Sequence, residues 1–242
     1  MAEIEQEPEE KKEWGYPLGQ LRRRLGGLEW RVLLILALIL GGMLLFAELA
    51  DVVSEQNPGF RSIDEALLLD LREPQDLSDP IGPPSVETAV RDVTALGGTA
   101  ILGFITISSV IFLLLNGDRR TAVILIVAIV GGTLLSMGFK DFFARPRPTL
   151  VPIEMRLTTY SFPSGHSMLS AITYLTIGSL LARTRSRRVI KIYILTLAVI
   201  LTIAVGFSRV YLGVHWPTDV LAGWVAGAVW ALVITLAADY LQ

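Results

Sequence analysis

The sequence predicts an all-α fold, an integral membrane bundle of six transmembrane helices, and three observations predict it. Apolar residues make up 52% of the 242-residue chain and its mean hydropathy is +0.55, both high for a soluble protein. Charged residues, at 18%, crowd into short stretches with long uncharged runs between them, which is the segregation a bilayer imposes. Six of those runs approach the roughly 20 residues that a helix needs to cross about 30 Å of hydrocarbon.

The chain opens with a polar tail, residues 1–28, acidic at its start and basic at Arg22, Arg23 and Arg24. It lacks the early apolar core of a cleaved signal peptide, so it is expected to stay on the mature protein, poorly ordered at its acidic beginning. Residues 29–242 then form the membrane domain. Its apolar stretches cover 32–50, 93–115, 121–139, 164–182, 189–207 and 220–238. Lipid offers no hydrogen-bond partners, so each is expected to be an α-helix even where Ile and Val favour strands in water. Gly41-Gly42, Gly97-Gly98, Gly131-Gly132, Gly223 and Gly227 mark expected sites of close helix approach, the last two on one helix face. The acidic loop at 51–92 carries Pro58, Pro74, Pro80, Pro83 and Pro84. Within it, 63–71 has leucines at helical spacing, which suits a short amphipathic helix on the membrane surface or a plain connecting helix.

Composition removes several function classes. A net charge of −2 leaves no basic face for nucleic acid, which is not expected as a partner. The absence of cysteine excludes disulfides, thiolate catalysis and cysteine-ligated metals. With His166 and His215 alone, a three-histidine zinc site is excluded as well. A transporter or channel would carry ionisable residues near the middle of its spans, and these stretches are almost free of them. Oligomeric state is left open.

Arginine and lysine in the short loops set the orientation. If six helices alternate, Arg22, Arg23, Arg24 and Arg31, then Arg119 and Arg120, then Arg183, Arg185, Arg187, Arg188 and Lys191 share one side, expected to be the cytoplasm. The 51–92 loop belongs to the other side. Lys140, Arg145, Arg147 and Arg209 break the rule by falling on that outer side, so something there wants positive charge.

Three segments meet the same outer face: KDFFARPRP at 140–148, SFPSGH at 161–166 and SRVYLGVHWPTD at 208–219. They resemble the three-part signature of the type 2 phosphatidic acid phosphatase superfamily, which also includes bacterial acid phosphatases and vanadium haloperoxidases. That signature is Lys, six residues, Arg-Pro; then Pro-Ser-Gly-His; then Ser-Arg, five residues, His, three residues, Asp. Every position is filled here, by Lys140, Arg147 and Pro148, by Pro163, Ser164, Gly165 and His166, and by Ser208, Arg209, His215 and Asp219. The six-span layout resembles the lipid phosphatase branch.

The residue chemistry stands beside the resemblance. A phosphoryl group in transfer spreads negative charge over its oxygens, so fixed cations and donors do most of the work. Arg147 and Arg209 each offer a planar fork and Lys140 a point charge. Ser164 and Gly165 sit where a helix starts, so free backbone N–H groups should face the anion. Asp219, four residues past His215, would hold one ring nitrogen and leave the other as a lone-pair nucleophile, the role the resemblance also implies for this histidine. His166 would protonate the leaving alkoxide or phosphate and later draw a proton from water. No metal or cofactor is required. Asp219 is also placed to cap the last helix, a use that competes with orienting His215, and orientation is the expectation. Arg145, outside the signature, is expected to anchor at lipid head groups, and Tyr211 and Trp216 to be interfacial aromatics.

The expected activity is hydrolysis of a lipid phosphomonoester or diphosphate at the extracytoplasmic face of a plasma membrane, through a phosphohistidine intermediate. Phosphatidic acid, phosphatidylglycerol phosphate and undecaprenyl diphosphate all fit. Phosphate transfer to a second lipid, or haloperoxidase chemistry on vanadate, would use the same residues; the spans favour a lipid substrate.

Overall fold

The computed structural model describes residues 16–54, 58–150 and 159–241. The expectations for the acidic start of the tail and for the side chains of Arg22, Arg23 and Arg24 lie outside the described residues. The chain forms two compact units, Met1–Ala37 and Leu38–Gln242. The described part of the first is helical and leaves Trp30, Leu33, Leu34 and Leu36 exposed.

Helix α1 (Tyr16–Ser54) starts well before the apolar run does. Leu, Arg and Gln between 18 and 25 are good helix formers and Pro17 suits a first turn, so the helix is not limited to the part that is apolar. The described residues of 51–92 hold the end of α1, then α2 (Pro58–Leu69), an antiparallel pair β1 (Arg72–Glu73) and β2 (Asp76–Pro80), and the start of α3 (Pro84–Ala95). Then follow α4 (Thr99–Leu115), α5 (Arg119–Phe143), α6 (Gly165–Arg183), α7 (Arg188–Tyr211) and α8 (Pro217–Leu241).

By length and composition, four described helices can cross a membrane, over Trp30–Ser54, Arg119–Phe143, Arg188–Tyr211 and Pro217–Tyr240. The second expected span is a pair, α3 and α4, bent by 44° at the Gly97-Gly98 break; counted as one it makes five. Gly97 is also a point of close approach, since a Cβ there would lie 2.3 Å from Val205 on α7.

The fourth expected span, α6, is not apolar enough to be counted, and its surroundings explain why. It packs against α5, α7, α8 and α4, and Ser167, Ser170, Thr173 and Thr176 along it are buried. A helix enclosed by other helices needs no lipid-compatible surface; Ser170 Oγ bonds locally to Ser167 O at 3.1 Å, whereas Thr176 Oγ1 has no partner among the described residues. The glycines of α8 permit this enclosure: a Cβ on Gly223 would lie 2.8 Å from Ser164 O, and one on Gly227 2.6 Å from Met168 O. Gly42, Gly131 and Gly132 also meet neighbours closely, whereas Gly41 has nothing within 4 Å and Gly98 meets only its own turn.

Short turns reverse the chain between α6 and α7 and again between α7 and α8. The C-terminal ends of α5 and α7 therefore meet the N-terminal ends of α6 and α8, and Ser164 N–H donates to Asp219 O across that meeting at 2.9 Å. Beneath it Phe46, Phe139, Phe143 and Phe162 pack ring to ring, with Phe46 and Phe139 centroids 4.8 Å apart. Arg119 and Arg183 lie at the other ends of their helices.

Candidate active site

The three motif segments reach one place because each lies where a helix stops or starts. Lys140 is in the last turn of α5, which closes on Ala144 in the left-handed region at φ 44, its N–H donating to Lys140 O at 3.0 Å. That conformation costs a residue with a Cβ about 1–2 kcal/mol, and it turns the chain into the run 145–148. Arg209 ends α7. The following turn, with Gly213 at φ 70 and Val214 N–H donating to Arg209 O at 3.1 Å, places His215 just before Pro217 opens α8.

His215 is buried between a cation and a carboxylate. Arg147 Nη1 lies 3.1 Å from its Nε2, and Asp219 Oδ2 lies 3.4 Å from its Nδ1. Arginine can only donate, so Nε2 is the accepting nitrogen and Nδ1 carries the proton toward Asp219. Burial pushes the imidazole down to about 4, against the pull of Asp219 and with help from Arg147 and Lys140. At neutral pH the ring is uncharged, with its lone pair facing the cationic side.

That side is strongly positive. Lys140 lies within electrostatic reach of Arg147 and Arg209, and all three act on His166. Lys140 Nζ donates to Tyr160 O at 2.6 Å. Arg209 is buried, gives Nη1 to Thr94 Oγ1 at 2.9 Å, and keeps a buried Nε with no acceptor among the described residues. Arg147 is half-buried. Its fork is turned onto protein acceptors, with Nε on Thr159 O at 2.8 Å, Nη2 on Thr159 Oγ1 at 3.0 Å and Nη1 also on Val214 O at 2.8 Å. The residues just before Ser161 supply two of these acceptors.

At the N-terminus of α6, Ser164 is the cap residue: its N–H is taken by Asp219 O, which removes it from the free backbone donors, and its Oγ accepts from Ser167 N at 3.4 Å and from Ser167 Oγ at 2.9 Å. Gly165 and His166 hold the first free N–H groups of the helix. Gly165 also lets the stem of Lys140 pass, with Cε 3.4 Å from where a Cβ would stand. His166 is half-buried and makes no hydrogen bond among the described residues.

Several contributors lie outside the signature. Ser161 Oγ donates to Asp219 Oδ2 in a very short bond and lies 3.3 Å from His215 Nδ1. Arg145 is not a head-group anchor: it is half-buried, with Nη1 on Asp219 Oδ1 at 2.5 Å and Nη2 on Asp64 Oδ2 at 2.8 Å. Asp64 comes from α2. Its one sequence signal is an acidic residue on the same helix stripe as Leu68, and both are buried. Tyr211 and Trp216 are interior rather than interfacial, with Tyr211 OH on Ile81 O at 2.8 Å and Trp216 Nε1 on Pro146 O at 3.2 Å. A cavity of about 260 Å³ shares Arg145 and Arg147 with this site, but neither histidine lines it.

The sequence model of the PAP2 superfamily matches residues 121–242. Over 114 residues, 45% of this chain and 55% of the other, the sequence is 40% identical to phosphatidylglycerophosphatase B of Bacillus subtilis strain 168. It is 31% identical over 123 residues to undecaprenyl-diphosphatase of Sulfolobus acidocaldarius, covering 49% of this chain and 55% of that one. The chain thus spans about half the length of these relatives. A solved structure, the transmembrane PAP2 type phosphatidylglycerolphosphate phosphatase from Bacillus subtilis, superposes with a TM-score of 0.72 at 25% identity, over 84% of this chain and 97% of that one.

Proposed function

Since the chain belongs to the PAP2 superfamily, we propose that it is a multi-pass membrane phosphatase acting on a lipid phosphomonoester or diphosphate through a phosphohistidine on His215. The observation that carries this reading is the His215 ring itself, with Nδ1 on the Asp219 carboxylate and Nε2 facing Arg147.

The Nε2 lone pair attacks phosphorus, the bond from phosphorus to the leaving oxygen breaks, and His166 gives that oxygen a proton. Water then attacks the phosphohistidine, His166 takes the water's proton, and the P–N bond breaks to release phosphate. Lys140, Arg147, Arg209 and the Gly165 and His166 N–H groups hold the phosphoryl oxygens through both steps. Phosphate takes over the Arg147 donors that now rest on Thr159. Asp219 keeps the proton on Nδ1 and stabilises the ring when it bears charge. The scheme uses no metal, and activity is expected to survive a strong chelator.

For placement, residues 29–242 form the membrane domain, with α6 as an enclosed sixth span and 1–28 as a cytoplasmic tail. The site faces the extracytoplasmic side of a plasma membrane together with 51–92. Support comes from the basic turns at Arg119 and Arg120 and from Arg183 to Lys191, which lie at the helix ends away from the site. The relatives' names make phosphatidylglycerol phosphate and undecaprenyl diphosphate the first substrates to try, beside phosphatidic acid.

The test is phosphate release by the purified full chain from these three lipids, with His215→Ala as control. Wild type is expected to release phosphate from at least one lipid, and the variant to lose activity by about 10³-fold or more while staying folded. Retained turnover in the variant removes His215 as nucleophile. Phosphate recovered on a second lipid rather than in solution makes the enzyme a transferase.

A further inference from the structure

The reacting ring is aligned by a carboxylate that is itself held by residues outside all three motifs. Asp219 is fully buried and divides its oxygens between two sets of donors. Oδ2 takes the Ser161 hydroxyl and the Trp216 N–H at 3.0 Å and faces His215 Nδ1, whereas Oδ1 takes Arg145 Nη1. The direction in which Oδ2 points is therefore set by where Arg145 holds Oδ1.

Arg145 is fixed in turn. Its Nη2 meets Asp64 Oδ2 at 2.8 Å, its Nη1 also reaches Thr218 Oγ1 at 2.8 Å, and its Cζ lies 5.6 Å from the Trp216 ring centre. A guanidinium is planar, so anchoring one end fixes the plane at the other. Asp64, 1% exposed, grips the start of α8 as well, taking Thr218 N–H on Oδ1 at 2.9 Å and Thr218 Oγ1 on Oδ2 at 2.6 Å. An acid on α2 thus caps the first turn of α8, the turn that carries Asp219, and holds the cation on which Asp219 rests.

We infer that Asp64 and Arg145 are positioning residues of this site: acting through Asp219, they set the orientation and tautomer of His215. This rests on the reading of His215 as the reacting imidazole. It brings the segment before residue 121, outside the matched family region, into the catalytic arrangement.

Nitrogen-15 NMR of histidine-labelled full chain tests the inference without substrate, because only His166 and His215 contribute. Wild type is expected to show His215 with its proton on Nδ1. Asp64→Asn keeps an acceptor for Thr218 N–H but removes the charge, and is expected to give a mixture of both tautomers. It should lower kcat by about 10- to 100-fold, with KM within about twofold, as for outer partners that orient a ligating histidine. On an Asp219→Asn background, adding Asp64→Asn should cost less than about a further twofold, since both act along one chain of contacts. Arg145→Lys, which reaches one carboxylate at a time, should show the same pattern and serves if Asp64→Asn does not fold.

An unchanged tautomer with unchanged kcat, or losses that multiply in the double variant, overturns the inference. If wild type releases phosphate from none of the lipids, the phosphatase reading fails by itself, and the NMR result still decides whether Asp64 and Arg145 set the ring.

Discussion

Replacing Asp219 by Asn tests the proton placement on which the proposed nucleophile depends. The side chain keeps its shape but offers one oxygen and one NH2 in place of two acceptors. On the Oδ1 side stands Arg145 at 2.5 Å; on the Oδ2 side stand the Trp216 N–H at 3.0 Å, the Ser161 hydroxyl and His215 Nδ1. An NH2 turned toward the guanidinium would set a donor against a half-buried cation, so the amide oxygen takes that side. The NH2 then faces three donors, and His215 can yield by moving its proton from Nδ1 to Nε2. That removes the lone pair and points an N–H at Arg147, 3.1 Å away. A wrong tautomer in a Ser-His-Asp triad costs on the order of 10⁴ in kcat, so a loss of about 10³ to 10⁴ is expected here. This equals roughly 4 to 5 kcal/mol in the barrier. KM should change little, because Lys140, Arg147 and Arg209 are untouched. The assay is phosphate release at saturating lipid, with size exclusion and thermal unfolding as checks of the fold. A variant within tenfold of wild-type kcat would refute the reasoning.

Acid should destabilise the wild type through His215. Its folded value is about 4 because of burial, against an ordinary 6.5, so between those values the unfolded chain takes up a proton that the folded chain refuses. Stability therefore falls as pH drops through that window and levels off below it, by roughly 3 kcal/mol in all, or about 6 to 12 °C in Tm. His215→Gln lacks this step, and parallel Tm curves for the two proteins would contradict it. Gly227→Ala must push α8 from α6, because the new Cβ would stand 2.6 Å from both Ala171 Cβ and Met168 O. A loss of about 1–3 kcal/mol is expected, whereas Gly41→Ala, with open space around it, should be neutral or slightly stabilising in the same thermal scan. His166→Ala should hurt a lipid phosphate more than an activated aryl phosphate, whose leaving group needs no acid; equal losses on both would remove the acid role.

The helices were readable where lipid or a close neighbour dictated the residue type. Thr121 to Phe139 and Val189 to Phe207 stay apolar because much of each helix surface is left uncovered by its neighbours and would face lipid, and both sit inside helices of the expected length. The α6 stretch reads as one more apolar run of spanning length, yet its Ser and Thr content reflects enclosure by protein, a property of the assembled bundle rather than of the segment. The Gly97-Gly98 break illustrates a signal with two meanings: the pair marks a close approach to α7 and also lets the helix bend, and spacing alone does not separate these. The contents of 51–92 were legible only as proline punctuation and one leucine pattern.

At the site, residue type revealed the members of the three segments but not which donor goes where. Capping and orientation looked like rival uses of Asp219, on the assumption that one carboxylate serves one partner. A carboxylate has two oxygens with about four lone-pair positions. Here Oδ2 receives the Trp216 N–H of the entering turn together with Ser161 and His215, and Oδ1 is left for Arg145. The backbone of the same residue takes Ser164 N–H, joining the start of α6 to the start of α8. One residue thus fixes both the imidazole and the helix terminus whose remaining free N–H groups are those of Gly165 and His166. Capping and orientation are two consequences of one placement, so any change that moves α8 relative to α6 must disturb the His215 ring and the free N–H groups at the start of α6 together.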